Sequence, residues 1–227
     1  MALKVCVFDA YGTLFDVNSA ARNCAAEPGR EEFSKLWPLI SAHWREKQLS
    51  YTWLLNILGE YSDFWQVTEN ALDFALESVG LNSDKDLKKR LLNLYKELDT
   101  YSEVRSVLSN LNEREIACVI LSNGSKLMLN SAVINSGVQP YVNAVMSVDE
   151  VGVFKPDSRV YQMVLNKMHF KIDEVLFISS NGWDIAGASS FGFKTLWINR
   201  LNQPFDRLPF KPDFIGFDLN HIQKLVK

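Results

Sequence analysis

Polar side chains of complementary charge follow several short apolar segments of this sequence. The first segment, VCVFD, ends at Asp9, and Tyr11 rather than a second acid stands two positions later. The loops that follow this segment and the others supply further candidate residues, which are Thr13, Ser122, Asn123, Lys155, Tyr161, Ser179, Ser180, Asn181 and Asp184. Serine and asparagine after a strand are most often turn or cap residues. Loops that combine carboxylates, amides and an ammonium nevertheless indicate a binding or catalytic site.

The apolar segments have the length and composition of buried strands. They lie at residues 3–9, 116–122, 144–148, 175–180 and 194–199. Helical patterns such as SEVRSVLSNLNER and SRVYQMVLNKMHF separate them. This alternation predicts an α/β fold, a doubly wound parallel sheet with a Rossmann-like core. Ligands bind at the carboxyl ends of the strands in such sheets, so we expect the polar loops to meet there.

A long segment after the first strand has a different pattern. TENALDFALESVGL and DLKKRLLNLYKEL carry leucines at helical spacing, and strand-like segments disappear. The pattern predicts a helical cap subdomain at residues 17–99, inserted into a core domain formed by residues 1–16 and 100–227. Most aromatic side chains of the insertion are expected to form its own core.

Composition excludes several classes of protein. The 227 residues are 47% hydrophobic and carry a formal net charge of −3, so no basic surface for nucleic acid or for an anionic membrane is expected. The three cysteines form no disulfide framework, and the histidines, His43, His169 and His221, have no metal-like spacing. Asp9 follows only a few apolar residues, and no apolar run is long enough to span a bilayer. We therefore expect a cytoplasmic protein.

Four segments resemble the successive motifs of a known superfamily. FDAYGTLFDV, LSNGS, VFKPDSRVY and ISSNGWDIAGA look like the motifs of the haloacid dehalogenase superfamily, in order and over nearly the whole chain. HWREKQLSYTW and SSNGWD are similar to segments of the bacterial L-2-haloacid dehalogenases. Most superfamily members transfer phosphoryl groups with Mg²⁺ and use a second acid to protonate the leaving alkoxide. Tyr11 occupies that position here, and Asn181 replaces another acid. A halide leaves without a proton, so these changes favour a dehalogenase that needs no metal or cofactor.

The resemblance implies a covalent mechanism. Asp9 would displace halide from the α-carbon of a 2-haloalkanoate, and water would hydrolyse the resulting ester to a 2-hydroxyacid of inverted configuration. Lys155 would compensate the charges of Asp9 and the substrate carboxylate, while Asp184 would position or activate water. Thr13 and Tyr161 would orient Asp9 and Lys155. The full catalytic set implied in this way is Asp9, Thr13, Lys155, Tyr161, Ser179, Asn181 and Asp184.

The resemblance also implies a substrate-binding set. Ser122 and backbone N–H groups of the first loop would hold the substrate carboxylate. Arg45, the Asn123 amide and the edge of the Trp183 indole would bind the halide. The set consists of the backbone of Ala10 and Tyr11 together with Arg45, Phe64, Ser122, Asn123 and Trp183. Glu46, beside Arg45, stands where these dehalogenases are expected to have Gln. Simpler interpretations are a surface ion pair between Arg45 and Glu46, core packing for Trp183, and a place for Phe64 in the core of the cap.

Two other functions are compatible with these residues. One is a divergent magnesium-dependent phosphatase of the same superfamily, which would need more acids than the motifs contain. The other is a non-catalytic scaffold, which would have no need for the full set of polar residues. The resemblance further implies a homodimer that acts on a small 2-haloacid, without a nucleic-acid or membrane partner.

Overall fold

A six-stranded parallel sheet forms the centre of one of the two compact units of this chain. The strands of the computed structural model, which describes residues 3–226, are β1 (Val5–Phe8), β2 (Ala117–Ser122), β3 (Ala144–Ser147), β4 (Val175–Ser179), β5 (Lys194–Ile198) and β6 (Phe214–Gly216). Their order is β3-β2-β1-β4-β5-β6, and every neighbouring pair is parallel. The order reverses at β1, as in Rossmann-like sheets. The predicted α/β fold with a doubly wound parallel sheet is confirmed.

The sixth strand was not predicted from the sequence. It has three residues, Phe214–Gly216, and pairs with β5 at the edge of the sheet. Ile215 is about half exposed, so the strand lacks the continuous burial that makes β1 recognisable as an apolar run. Its extended conformation depends on hydrogen bonds to β5, which is a tertiary contact rather than a local preference.

The second unit spans Asp16–Asp99 and is helical. Its helices are α1 (Ser19–Ala25), α2 (Glu31–Leu58), α3 (Phe64–Glu77) and α4 (Lys85–Tyr95). Asp63 caps α3, and Asp84 caps α4, by accepting hydrogen bonds from backbone N–H groups of the first turn. Trp44 of α2 packs on Tyr95 of α4, with 4.9 Å between ring centroids, so these two aromatics belong to the core of the unit.

The first unit is completed by helices that alternate with the strands. They are α5 (Val104–Glu113), α6 (Lys126–Asn135), α7 (Ser158–Met168) and α8 (Gly182–Phe191). All four residues of β1 are buried, because the central strand has a neighbouring strand on each side and helices cover the sheet. The chain leaves this unit after Phe15 and returns at Thr100, where an isolated antiparallel bridge joins the two residues.

Within residues 3–226, none of the helices combines the length and the apolar character that crossing a membrane requires.

Candidate active site

Asp9 lies directly after β1, at the centre of the carboxyl edge of the sheet. Its backbone N–H donates to the carbonyl of Ile178 in β4 at 2.9 Å, which extends the strand pairing as far as the carboxylate. The residue is 5% exposed. Its Oδ2 accepts hydrogen bonds from Asn181 Nδ2 at 2.8 Å and Thr13 Oγ1 at 3.0 Å, with Ser179 Oγ at 3.5 Å. The loops after β1 and β4 therefore orient one buried carboxylate.

Lys155 connects this carboxylate to a second one. Its Nζ lies 3.2 Å from Asp9 Oδ1 and 2.8 Å from Asp184 Oδ2, and the side chain is completely buried. The ammonium also lies 5.0 Å from the ring centroid of Phe177. Burial opposes the charge on Lys155, but the charges of Asp184 and Asp9 outweigh burial and raise the pKa of Lys155 above its ordinary value. The ammonium is therefore retained between the two acids at neutral pH.

Asp184 is the more deeply buried of the two acids. Burial raises the pKa of Asp184 to about 6, although the Lys155 ammonium and the hydrogen bond from Tyr161 oppose that rise. The Tyr161 hydroxyl donates to Asp184 Oδ1 at 2.8 Å. Burial, followed by the charge of Asp184, raises the pKa of Tyr161 well above its usual range, so the phenol keeps its proton. We predict that Tyr161 orients Lys155, and its hydroxyl contacts Asp184, which in turn contacts the ammonium.

The loop after β2 positions the amide and hydroxyl groups predicted from LSNGS. Asn123 Oδ1 accepts a hydrogen bond from the backbone N–H of Lys155 at 2.9 Å, which ties this loop to the lysine. Ser122 is buried, and its Oγ accepts from the N–H of Gly124 at 3.1 Å. A Cβ at Gly124 would lie 2.7 Å from the ring of Tyr11, so the glycine allows that aromatic ring to approach the loop.

The loop after Asp9 is a tight turn closed on the carbonyl of Ala10. This oxygen accepts from three backbone N–H groups, those of Thr13, Leu14 and Phe15. Gly12 has a φ of +92°, which a residue with a side chain rarely adopts. The turn returns the Thr13 hydroxyl to Asp9 four residues back.

Comparison with known proteins identifies the family. The sequence model of a protein family described as haloacid dehalogenase-like hydrolase matches residues 3–192 of this chain. This chain belongs to the haloacid dehalogenase-like hydrolases.

Relatives of this hydrolase match along most of their own length. The (S)-2-haloacid dehalogenase 1 of Pseudomonas sp. (strain CBS-3) is 46% identical over 89% of this chain and 87% of that protein. The (S)-2-haloacid dehalogenase of Pseudomonas sp. (strain YL) is 41% identical over 99% of this chain and 95% of that protein. Among solved structures, L-2-haloacid dehalogenase from Xanthobacter autotrophicus with chloropropionic acid covalently bound has a TM-score of 0.86 and 36% identity, covering 98% of each chain. The predicted resemblance to bacterial L-2-haloacid dehalogenases is confirmed.

The acids of this hydrolase do not fit a magnesium site. Mg²⁺ prefers several carboxylate or carbonyl oxygens in octahedral geometry. Asp9 and Asp184 each contact the Lys155 ammonium, and the neighbouring strand-end residues Tyr11 and Asn181 carry no carboxylate. No cluster of three or more potential metal ligands occurs among the side chains of residues 3–226.

The other predicted residues lie in different parts of the hydrolase. Trp183 is partly buried in the first turn of α8, next to Asp184. Arg45 and Phe64 belong to the helical unit, where Arg45 is partly exposed and Phe64 is buried. Glu46 is exposed on α2.

Two contacts near Asp9 were missed as site features in the sequence. The Ser180 N–H donates to Thr13 Oγ1 at 2.8 Å, and Arg200 Nη2 donates to the Thr13 carbonyl at 3.1 Å. The position of Ser180 after an apolar segment indicates that it lies near the site, but it does not indicate the contact with Thr13. Arg200 also follows a strand, in WINR, but no pattern links it to Thr13.

Replacing Gly187 with Ala should disturb the contact between Tyr161 and Asp184. A Cβ at Gly187 would lie 2.5 Å from the Tyr161 hydroxyl and 2.5 Å from Cβ of Pro156. We expect a loss of about 1–3 kcal/mol in the free energy of unfolding, measured by urea denaturation, because these neighbours must move. Ser189→Ala is the control in the same helix, since the Ser189 hydroxyl donates to the Lys211 carbonyl and not to Gly187. Equal stability of both variants would show that the site accommodates the methyl group.

Proposed function

We propose that this protein hydrolyses (S)-2-haloalkanoic acids to (R)-2-hydroxyalkanoic acids and halide through an ester on Asp9. The observation that carries the proposal is a buried carboxylate held by an ammonium on one oxygen and by neutral donors on the other, with Tyr11 in place of a second acid. Relatives that match over most of both chains are named (S)-2-haloacid dehalogenases. A Mg²⁺-dependent phosphatase is not favoured because the acids do not fit the metal. A scaffold is not favoured because it would not need a buried ion-pair network.

The first step is a displacement at carbon. Among the described residues, donors from Asn181, Thr13 and Ser179 bind Asp9 Oδ2, whereas the Lys155 ammonium contacts Oδ1. Oδ1 therefore keeps more of its capacity to attack the α-carbon. A carbon–oxygen bond forms as the carbon–halogen bond breaks, and the halide leaves with the bonding electron pair. Lys155 reduces the repulsion between the carboxylate and the anionic substrate, about 4 kcal/mol for unit charges 4 Å apart near a protein surface.

The second step is hydrolysis at the Asp9 carbonyl carbon. Water adds to this carbon, and the donors on Oδ2 stabilise the oxyanion that forms. The acyl–oxygen bond then breaks, so the product hydroxyl retains the former Asp9 Oδ1 and the oxygen of water remains in Asp9. We propose Asp184 as the base that takes the proton from water. Its pKa of about 6 leaves it ionised at neutral pH and close to the range in which a general base is efficient.

Substrate recognition is proposed by resemblance. Ser122 and the N–H groups of Ala10 and Tyr11 would bind the substrate carboxylate. The halide would be bound by Arg45, Asn123 and the edge of Trp183, and Phe64 would form part of the apolar pocket. We propose that the helical unit that carries Arg45 and Phe64 acts as a cap.

Two assays test the proposed function. Purified protein is given L-2-chloropropionate in the presence of a chelator, or p-nitrophenyl phosphate with Mg²⁺. Chloride release in chelator supports dehalogenation, phosphate release that requires Mg²⁺ supports the phosphatase, and the absence of both supports the scaffold. A single turnover in H₂¹⁸O should then place the label in Asp9, detected by mass spectrometry of the peptide. Label found directly in the hydroxyacid would contradict an ester intermediate.

The pH dependence of kcat should report the ionisation of Asp184. Turnover is expected to rise as pH increases through about 6, because the base must be ionised. Tyr161→Phe removes a hydrogen bond that lowers the pKa of Asp184, so the rise should move to higher pH. We expect kcat of this variant to fall roughly fivefold more at pH 6 than at pH 8, relative to the parent. Tyr141→Phe, a partly buried tyrosine of the same unit, should leave the profile unchanged. An unshifted profile in Tyr161→Phe would exclude Asp184 as the titrating base.

A cytoplasmic homodimer is also proposed. Cys6, Cys24 and Cys118 are free and buried, which suits a reducing compartment. At the end of α2, Leu54 is 52%, Ile57 80% and Leu58 71% exposed. Three exposed apolar side chains this close together suit an interface with a second copy of this chain. Analytical ultracentrifugation should give twice the mass of the chain, and cell fractionation should recover the protein in the cytoplasm.

A further inference from the structure

Two successive carbonyls of the loop that carries Asp9 are held by side chains from neighbouring strand ends. Ser180, after β4, donates its hydroxyl to the Gly12 carbonyl at 2.6 Å. Arg200, after β5, donates Nη2 to the Thr13 carbonyl at 3.1 Å. Thr13 is completely buried, so its carbonyl is shielded from water in the folded protein and is paired with the guanidinium instead.

Thr13 connects this backbone contact to the carboxylate. Its hydroxyl accepts a hydrogen bond from the Ser180 N–H at 2.8 Å and lies 3.0 Å from Asp9 Oδ2. Because the Asp9 carboxylate can only accept, the hydroxyl donates its proton to Asp9 while its oxygen accepts from the Ser180 N–H. A shift of the Thr13 backbone would therefore change a hydrogen bond to the proposed nucleophile.

Arg200 is itself held rigidly. Its Nη1 forms an ion pair with Glu103 Oε1 at 2.7 Å, and the guanidinium lies 3.6 Å from the ring centroid of Tyr101. The side chains of Arg200 and Glu103 are 16% and 12% exposed. Tyr101 in turn donates its backbone N–H to the Leu14 carbonyl at 3.1 Å, so its backbone is bonded to the same loop. A planar guanidinium that is stacked and paired at one end is preorganised to donate at the other.

We propose that Arg200 is a positioning residue for the nucleophile. By holding the Thr13 carbonyl, it keeps the Thr13 hydroxyl in hydrogen-bonding distance of Asp9 Oδ2 during both steps of the reaction. Lysine cannot replace Arg200 fully. The planar guanidinium contacts Glu103 and Thr13 through two separate nitrogens and stacks on Tyr101, whereas an ammonium has one nitrogen and no plane to stack. The kinetic part of this inference rests on the proposed function.

The expected kinetic effect is on turnover rather than on substrate affinity. Arg200 contacts the loop and not the groups proposed to bind substrate. For Arg200→Met we expect kcat per folded site to fall about tenfold with KM unchanged, because small displacements of reacting groups reduce rates strongly. Arg200→Lys should recover part of the loss.

The test compares this variant with a matched arginine and with Thr13. Arg114→Met is the control, since Arg114 also donates to a backbone carbonyl, that of Val226 at 3.1 Å, away from Asp9. Arg200→Met is also combined with Thr13→Val, which removes the hydroxyl. If Arg200 acts through Thr13, it should have little further effect on kcat in the Thr13→Val background. Additive losses in kcat, or equal losses in Arg114→Met, would overturn the inference.

A spectroscopic measurement decides the same point without turnover. The ¹³C carboxyl resonance of Asp9, assigned by its absence in Asp9→Asn, should shift in Arg200→Met in the same direction as in Thr13→Val. It should not shift in Arg114→Met. An unchanged resonance in Arg200→Met would overturn the positioning role, even if the parent protein showed no dehalogenation. Absence of chloride release by the parent would instead overturn the proposed function, so the two failures are distinguishable.

Discussion

Replacing Asp9 with Asn is expected to abolish halide release, lowering kcat by about 10⁴-fold or more. The amide is neutral and a poor nucleophile, and no other carboxylate occupies the end of β1. The amide oxygen can still accept from Thr13 and Asn181, as Oδ2 does at 3.0 and 2.8 Å. The amide nitrogen then faces Lys155, where the carboxylate oxygen lies 3.2 Å from Nζ. We therefore expect a folded protein that is less stable by about 1–3 kcal/mol.

The control for Asp9→Asn is Asp213→Asn. Asp213 also accepts hydrogen bonds, from the N–H and hydroxyl of Thr195 at 2.8 and 3.0 Å, but it lies before β6 and not at the carboxyl edge. Chloride release and urea denaturation are measured for both variants. Mass spectrometry of the intact Asp9→Asn protein checks that the amide has not been hydrolysed back to Asp. Substantial turnover by intact Asp9→Asn would show that another group attacks the substrate.

Replacing Lys155 with Met is expected to reduce both activity and stability. Methionine has a similar length but no charge, so two buried carboxylates lose the ammonium that lies 3.2 Å from Asp9 and 2.8 Å from Asp184. Removing one partner of a buried ion pair typically costs about 3–5 kcal/mol, because the remaining charge stays buried. We expect turnover to fall by about 10³-fold, because the anionic substrate would also meet an uncompensated carboxylate.

The stability loss of Lys155→Met should depend on pH. In the parent, the pKa of Lys155 is raised, so its contribution is present throughout the neutral range and is lost only as pH rises through that raised value. The pKa of Asp184 is already raised to about 6, and removal of Lys155 raises it further because the ammonium lowers it. An acid with a raised pKa destabilises the folded state progressively as pH rises from its ordinary pKa to the raised one, so a further rise in the variant extends this loss to higher pH. The difference in unfolding free energy between parent and variant should therefore be larger at pH 8 than at pH 5.

Two further variants separate charge from packing at Lys155. Adding Asp184→Asn to Lys155→Met removes an uncompensated charge and should recover part of the stability at pH 8. Lys167→Met removes an exposed lysine that pairs with Glu150 and should change stability by no more than about 0.5 kcal/mol. If Lys155→Met were as stable as Lys167→Met at pH 8, the ion-pair network would not carry the energy assigned to it.

The sequence by itself determined the class of fold and the positions of the polar loops. Buried parallel strands require continuous apolar segments, and this local property identified five of the six strands. The carboxyl ends of parallel strands meet at one edge, so Asp9, Asn123 and Asp184 could be expected near Lys155. The sequence also shows that Tyr11 replaces the second acid, because that position is defined as two residues after Asp9.

Only the tertiary structure decided how those groups are connected. The three-residue strand β6 has no strong local preference and exists through its pairing with β5. Tyr161 donates to Asp184, because the packing of α7 on α8 places the hydroxyl there. Arg200 reaches Thr13 across 187 positions of sequence, and no periodicity encodes such a contact. Local sequence patterns predict which residues lie at the edge of the sheet. The hydrogen-bond partner of each residue depends on the exact positions of side chains from distant segments, which only the packed fold determines.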